Sequence, residues 1–220
     1  MGLMHNIPEF RYDTDTIQVG NLTLDAIALN AFLSRMESLY GSGTVYQLGG
    51  SPAPNEEATP GTKFDCTGVL WWATFRSRLG VLWPAPNKNW LPLSAPVPGC
   101  CIRHSAPPGS AHGHAGMVIW VEPDGSFATL DSSSTDPKPR NGAIRYTPPA
   151  ECQKRWLNKP DVHFVVSAEA VIAVDGVPTN RPLNIWLAAA KRPIAASIAL
   201  VAAVVGGVWW WQRRRKKRNA

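Results

Sequence analysis

Acidic residues are missing from the last 30 positions, cysteines number only four, and charged residues make up 17% of the 220. Each scarcity excludes something. The cysteines are Cys66, Cys100, Cys101 and Cys152. Two are adjacent and make a strained pair, and a chain of this length needs no stapling, so a disulfide scaffold is excluded and the thiols are expected reduced. The 18 glycines and 20 prolines follow no period, which excludes collagen-like and fully disordered classes. No internal repeat is visible. The first residues, MGLMHNIPEFRYD, lack the basic start and apolar run of a secretory signal. Met1-Gly2 is followed by Asn6 where myristoylation wants Ser or Thr. The net charge of +6 suggests a nucleic-acid binder, but residues 1–190 hold 14 Lys/Arg against all 16 Asp/Glu, a balance of −2. The basic excess sits in residues 191–220, with eight Lys/Arg. A nucleic-acid binder spreads its cations over a face, so no nucleic-acid partner is expected.

What is present begins with a polar arm over 1–20. Leu22, Ile27, Leu29, Phe32, Leu33, Met36 and Leu39 recur at mainly three-to-four spacing, which predicts an amphipathic helix over 25–40 ended by Gly41 and Gly43. TVYQLGG (44–50) is short and extended, and 51–62 is a polar loop. FDCTGVLWWATFRSRL (64–79) predicts a second helix, capped by Asp65 or Thr67, with Val69, Leu70, Trp72, Ala73, Phe75 and Leu79 on its apolar face. Trp71 and Trp72 read as helix packing. Seven prolines in 84–109 rule out a long helix there and predict a structured loop; Trp83 and Trp90 are expected to cover the sheet, the alternative being a carbohydrate-facing wall. AGMVIWV (115–121), a turn at Glu122-Pro123-Asp124-Gly125 and SFATL (126–130) give a hairpin signal, and VHFVV (162–166) a further strand.

After a connector at 168–192, residues 194–211 are 18 positions without a charge. At about 1.5 Å each they make a helix of roughly 27 Å, near the thickness of a bilayer core. This predicts one transmembrane helix (193–212) contacting lipid through 194–211. Gly206 and Gly207 suit self-association with another helix. Trp209, Trp210 and Trp211 form an aromatic belt, and a basic tail (213–220) lies on the cytoplasmic side. The expectation is a single-pass protein of a bacterial inner membrane or a virion membrane.

Cys66 stands at the start of the second helix, where unpaired N–H groups and the helix dipole favour a thiolate and can donate to an oxyanion. The bland alternative is a buried small hydrophobe. His114, in SAHGHAG, could be a base or a surface loop residue, with His112 its rival. Cys100, Cys101, His104, His112 and His114 lie close in sequence, but their spacing fits no common zinc site, so neither metal nor cofactor is expected.

Tyr46, Gly49-Gly50, Phe64-Asp65-Cys66-Thr67-Gly68 and, 48 residues after the cysteine, His114-Ala115-Gly116-Met117 together resemble the NlpC family of cell-wall cysteine peptidases. That family has a tyrosine followed by paired glycines, Phe-Asp-Cys-Ser/Thr-Gly opening a helix, and His-Val/Ala-Gly-Ile opening a strand. Pro98-Gly99-Cys100 stands where the family has Pro-Gly-Asp. The resemblance covers 21–167 and implies an α+β, papain-like cysteine hydrolase domain, N-terminal helices on an antiparallel sheet. It implies Cys66 as nucleophile, His114 as base and, at the end of the next strand, Asp131 as orienting group, with Ser132 and Glu122 as weaker candidates. Tyr46 near the oxyanion, and Asp65 and Thr67 at the cysteine, would contact substrate, Asp65 meeting the amino group of a stem peptide. The extra residues between Gly50 and Gly61, and the Pro-rich stretch, depart from the family around the expected cleft.

The function so implied is a membrane-anchored endopeptidase of bacterial peptidoglycan stem peptides, acting in phage entry or host lysis. The alternatives are a CHAP-like N-acetylmuramoyl-alanine amidase, or a structural membrane protein with a non-catalytic papain-like binding module.

Overall fold

Among the described residues, three α-helices and three sheets build the fold. The computed structural model describes residues 7–179 apart from 54, 75–89, 107, 109–111 and 135–142. Strands β1 (Thr16–Val19) and β2 (Leu22–Asp25) form a hairpin within and just after the expected arm. Asp25 ends β2 and caps helix α1 (Ala26–Ser38), its Oδ1 accepting the Ile27 and Ala28 N–H groups at 2.9 and 3.1 Å. The cap satisfies amides that the first turn leaves unpaired. The expected apolar face of α1 is buried at Leu29, Phe32, Leu33 and Met36, while Ile27 is 62% exposed.

The short parallel pair β3 (Val45–Tyr46) and β4 (Lys63–Phe64) brackets the polar loop and leads into α2 (Cys66–Ala73). Of the rest of the second predicted helix (64–79), Phe64 is in β4, Asp65 and Thr74 cap α2, and 75–79 lie outside the described residues. Trp72 packs as expected: it meets Phe64 edge-on at 5.7 Å, and the Arg35 guanidinium lies 3.8 Å from its ring centre.

The main sheet is antiparallel throughout, in the order β5-β10-β6-β7-β8-β9. Its strands are β5 (Trp90–Leu93), β6 (Cys101–His104), β7 (His114–Val121), β8 (Phe127–Ser132), β9 (Ile144–Thr147) and β10 (His163–Ser167). β7 and β8 are the expected hairpin and β10 the expected further strand. β5 and β6 lie in the stretch expected as loop. Pro92 is accommodated because β5 is an edge strand, where a missing ladder donor is tolerated. Between β9 and β10 the chain forms helix α3 (Pro149–Cys152), which runs into a π-helical turn, Gln153–Leu157. The strands β11 (Val171–Val174) and β12 (Val177–Pro178) join the first hairpin in a four-stranded sheet, β1-β2-β11-β12. α2 packs against β7 and β8. The secondary structure is therefore α+β, with helix against antiparallel sheet.

The expected membrane localisation is corrected. No helix among the described residues is long and apolar enough to cross a membrane. The longest, α1, has 13 residues, or about 20 Å against a bilayer core of about 30 Å. The predicted span, its Gly206 and Gly207 and the basic tail lie outside the described residues. The virion-membrane and host-lysis setting rested on that span and goes with it.

Candidate active site

Asp65 sets the cysteine in place. It is buried, and its Oδ1 accepts the Gly68 N–H and the Thr67 hydroxyl while its Oδ2 accepts the Gly49 N–H at 2.9 Å. One carboxylate thus caps α2 and ties the Gly49-Gly50 turn to it. Of the two cap candidates, Asp65 does the capping, and Thr67 braces it. The glycines are steric requirements. A Cβ on Gly68 would lie 2.2 Å from the Gly50 carbonyl oxygen, and one on Gly50 would lie 2.8 Å from the Gln47 and Lys63 oxygens. This close approach places Cys66, half-buried, as the first residue of the helix.

His114 opens β7. The antiparallel register sets Met117 opposite Leu130, so Asp131 on β8 comes beside the start of β7. His114 Nε2 lies 2.7 Å from Asp131 Oδ2. Cys66 lies close enough to the imidazole to act on its charge. Burial is the largest influence on His114 and lowers its pKa. The hydrogen bonds and negative charges of Asp131 and Cys66 outweigh it and push the pKa up to about 9. Asp131 is fully buried. Burial, its largest influence, raises its pKa, but His114 and Arg155 together hold it below the ordinary carboxylate value.

Ser132 and Glu122, the weaker candidates, are elsewhere. The Ser132 hydroxyl donates to the Phe64 carbonyl at 3.1 Å, fastening β8 to the strand that precedes Cys66. Glu122 lies past the far end of β7, in the hairpin turn. Tyr46 lines the cleft in front of His114. Burial raises its pKa first, and the charges of Cys66 and Asp65 add to the rise, which places its hydroxyl in their field. His112 lines the same cleft.

Two residues of the site were not anticipated from the sequence. Arg155 Nη2 lies 2.6 Å from Asp131 Oδ2, the same oxygen that takes His114. The two donor nitrogens are 3.0 Å apart. Trp156, fully buried, stacks on the His114 ring with centroids 5.3 Å apart and planes 15° apart, and its indole N–H donates to Thr129 Oγ1 at 3.0 Å. Room for the indole comes from Gly116, where a Cβ would lie 2.9 Å from Trp156 Cζ2 and 3.0 Å from Asp131 Cβ. The imidazole is thus fixed at its edge by Asp131 and on its face by Trp156.

Cys100, Cys101 and Cys152 are buried. Burial pushes the Cys100 thiol up to about 12 and Cys101 well above its ordinary value. Among the described residues no three His, Cys, Asp or Glu side chains group to hold a metal ion.

No family model matches the chain, and no curated protein matches it. Solved structures do. The chain is similar to the P60 domain of antigen MAP1204 from M. avium subspecies paratuberculosis, with 21% identity, 64% of this chain and 94% of that chain covered, and a TM-score of 0.37. It is also similar to Ly7917, with 16% identity, 63% of this chain and 62% of that chain covered, and a TM-score of 0.38.

Proposed function

We propose that the protein is a thiol hydrolase that cleaves amide bonds in bacterial cell-wall stem peptides. The observation that carries this reading is the 2.7 Å contact of His114 with buried Asp131, with the helix-terminal Cys66 near enough to raise the pKa of the same imidazole. A sulfur nucleophile, an imidazole within hydrogen-bond reach and a carboxylate on the far ring nitrogen are the parts that acyl transfer needs. The family resemblance of the cysteine and histidine motifs points to the cell wall.

In this reading the Cys66 thiolate attacks the scissile carbonyl carbon and the carbonyl electrons pass to oxygen. The Cys66 N–H at the start of α2, with the Tyr46 hydroxyl nearby, stabilises that oxyanion. The His114 imidazolium gives its proton to the departing amine as the C–N bond breaks, leaving a thioester. Neutral His114 then takes a proton from water, whose oxygen attacks the thioester, and the thiolate leaves. Asp131 holds the ring in the orientation these transfers need and stabilises its charged form. Asp65 and Thr67 act by positioning the cysteine. Stem-peptide endopeptidase is the preferred specificity.

The test is digestion of purified peptidoglycan by the full chain, with products read by mass spectrometry and Cys66→Ala beside it. New amino termini within stem peptides are expected from the wild type alone. Release of intact stems from the sugar would make it an amidase. Equal products from Cys66→Ala would remove the nucleophile assignment.

A further inference from the structure

The cleft in front of His114, of about 810 Å³, has four cations in its wall: Arg145 from β9, Lys154 and Arg155 from the π-helical turn, and Lys159 just beyond it. One carboxylate, Glu151, lines the cleft, and it lies 3.5 Å from Arg145. Arg155 is committed through Nη2 to Asp131. Lys154 and Lys159 have no ion-pair partner among the described residues. The wall therefore carries positive charge, at Lys154 and Lys159, that no carboxylate among the described residues pairs, although residues 1–190 are net negative by two. The field reaches the cleft floor. Burial lowers the pKa of His104 first, the Ser105 carbonyl opposes it, and the charges of His114, Lys159 and Arg155 lower it further.

Cations left unpaired around a cleft attract anions and discriminate against neutral isosteres. We propose that Lys154 and Lys159 make the cleft selective for substrates that carry a free carboxylate beside the scissile amide, and that they reject the same peptide with that carboxylate amidated. This inference rests on the thiol-hydrolase reading and adds to it a charge requirement and the residues that impose it. An exposed charge pair changes affinity by up to about fivefold, so two lysines acting together give a preference of roughly tenfold. Salt weakens it, because the pairs are solvent-facing.

The experiment uses two forms of one short stem peptide, glutamate carboxylate free or amidated. Each is titrated calorimetrically into full-length Cys66→Ala at low and high salt, and each is offered to the wild type for cleavage. The free acid should bind roughly tenfold more tightly at low salt, and the preference should collapse in Lys154→Gln/Lys159→Gln on the Cys66→Ala background, with thermal unfolding unchanged. Equal binding of acid and amide would overturn the proposal, even if the wild type cuts both. A preference that survives the double substitution would remove it from these lysines. Preferential binding without cleavage of either peptide would leave the cationic wall standing and remove the hydrolase reading instead.

Discussion

Replacing Asp131 by Asn keeps the shape of the site and removes its buried negative charge. The His114 pKa stands at about 9 against an ordinary 6.5, and each unit corresponds to about 1.4 kcal/mol, so protonated His114 contributes roughly 3 kcal/mol to folding. The sign follows from proton binding. The folded state keeps the His114 proton to higher pH than the unfolded chain does, so this stability is fully present below pH 6.5 and lost as pH rises to about 9. In Asp131→Asn burial, the largest influence on His114, acts against the charged ring with only Cys66 opposing it, and the His114 pKa should fall back toward its ordinary value or lower. Arg155 also loses its buried anionic partner, at a further cost of about 1–3 kcal/mol. Urea unfolding of both proteins at pH 6 and pH 9 is the assay. The wild type should lose about 3 kcal/mol more than the variant between those pH values, a difference in which the titration of the buried cysteines cancels. The His114 ring resonances, followed by NMR, should titrate near 9 in the wild type. Parallel loss in the two proteins, or a wild-type ring that titrates near 6.5, would refute the reasoning.

Iodoacetamide at neutral pH should alkylate Cys66 before Cys100, Cys101 or Cys152, because the others are buried; equal labelling by peptide mapping would remove the nucleophile assignment. His114→Ala should lower kcat/KM by ~10²–10⁴ and His112→Ala by far less, and the reverse ranking would move the base by two residues. Gly116→Ala should cost about 1–3 kcal/mol in unfolding free energy by forcing Trp156 and Asp131 apart, and it should depress kcat more than KM. A variant with wild-type stability and kcat would show that the stacking is not needed.

Legibility in the sequence followed the strength of the local signal. α1 was visible because a 13-residue helix repeats its apolar face several times over. The β7–β8 hairpin was visible because Pro-Asp-Gly separates two apolar runs. β1 was not, since four residues with alternating half-buried positions read as a polar arm. β5 and β6 were masked by the prolines around them. Cys66, His114 and Asp131 could be named because their motifs resemble those of a known family; helix start, strand start and strand end alone leave each with an ordinary structural reading. Arg155 and Trp156 could not. They come from a π-helical turn, whose wider hydrogen-bond ring breaks the 3.6-residue period on which helical reading depends, and nothing in QKRWL states that it will lie over β7 and β8.

The glycines show most sharply what a motif withholds. Gly49-Gly50 and Gly68 are 18 residues apart at their nearest and read as separate signals, one a turn and one the end of the cysteine motif. In the folded chain they are two sides of one contact. The Gly50 carbonyl fills the space where a Gly68 Cβ would stand, and the Asp65 carboxylate holds both sides together through the Gly49 and Gly68 N–H groups. Gly116 does the same for the other half of the site by letting an indole reach the imidazole. A methyl added at Gly50, Gly68 or Gly116 leaves every reactive group chemically unchanged and alters only distance. Because nucleophile and base must meet within hydrogen-bond reach, distance alone is enough to separate them. The non-reactive letters of both motifs are therefore as much a condition of the chemistry as Cys66 and His114 themselves.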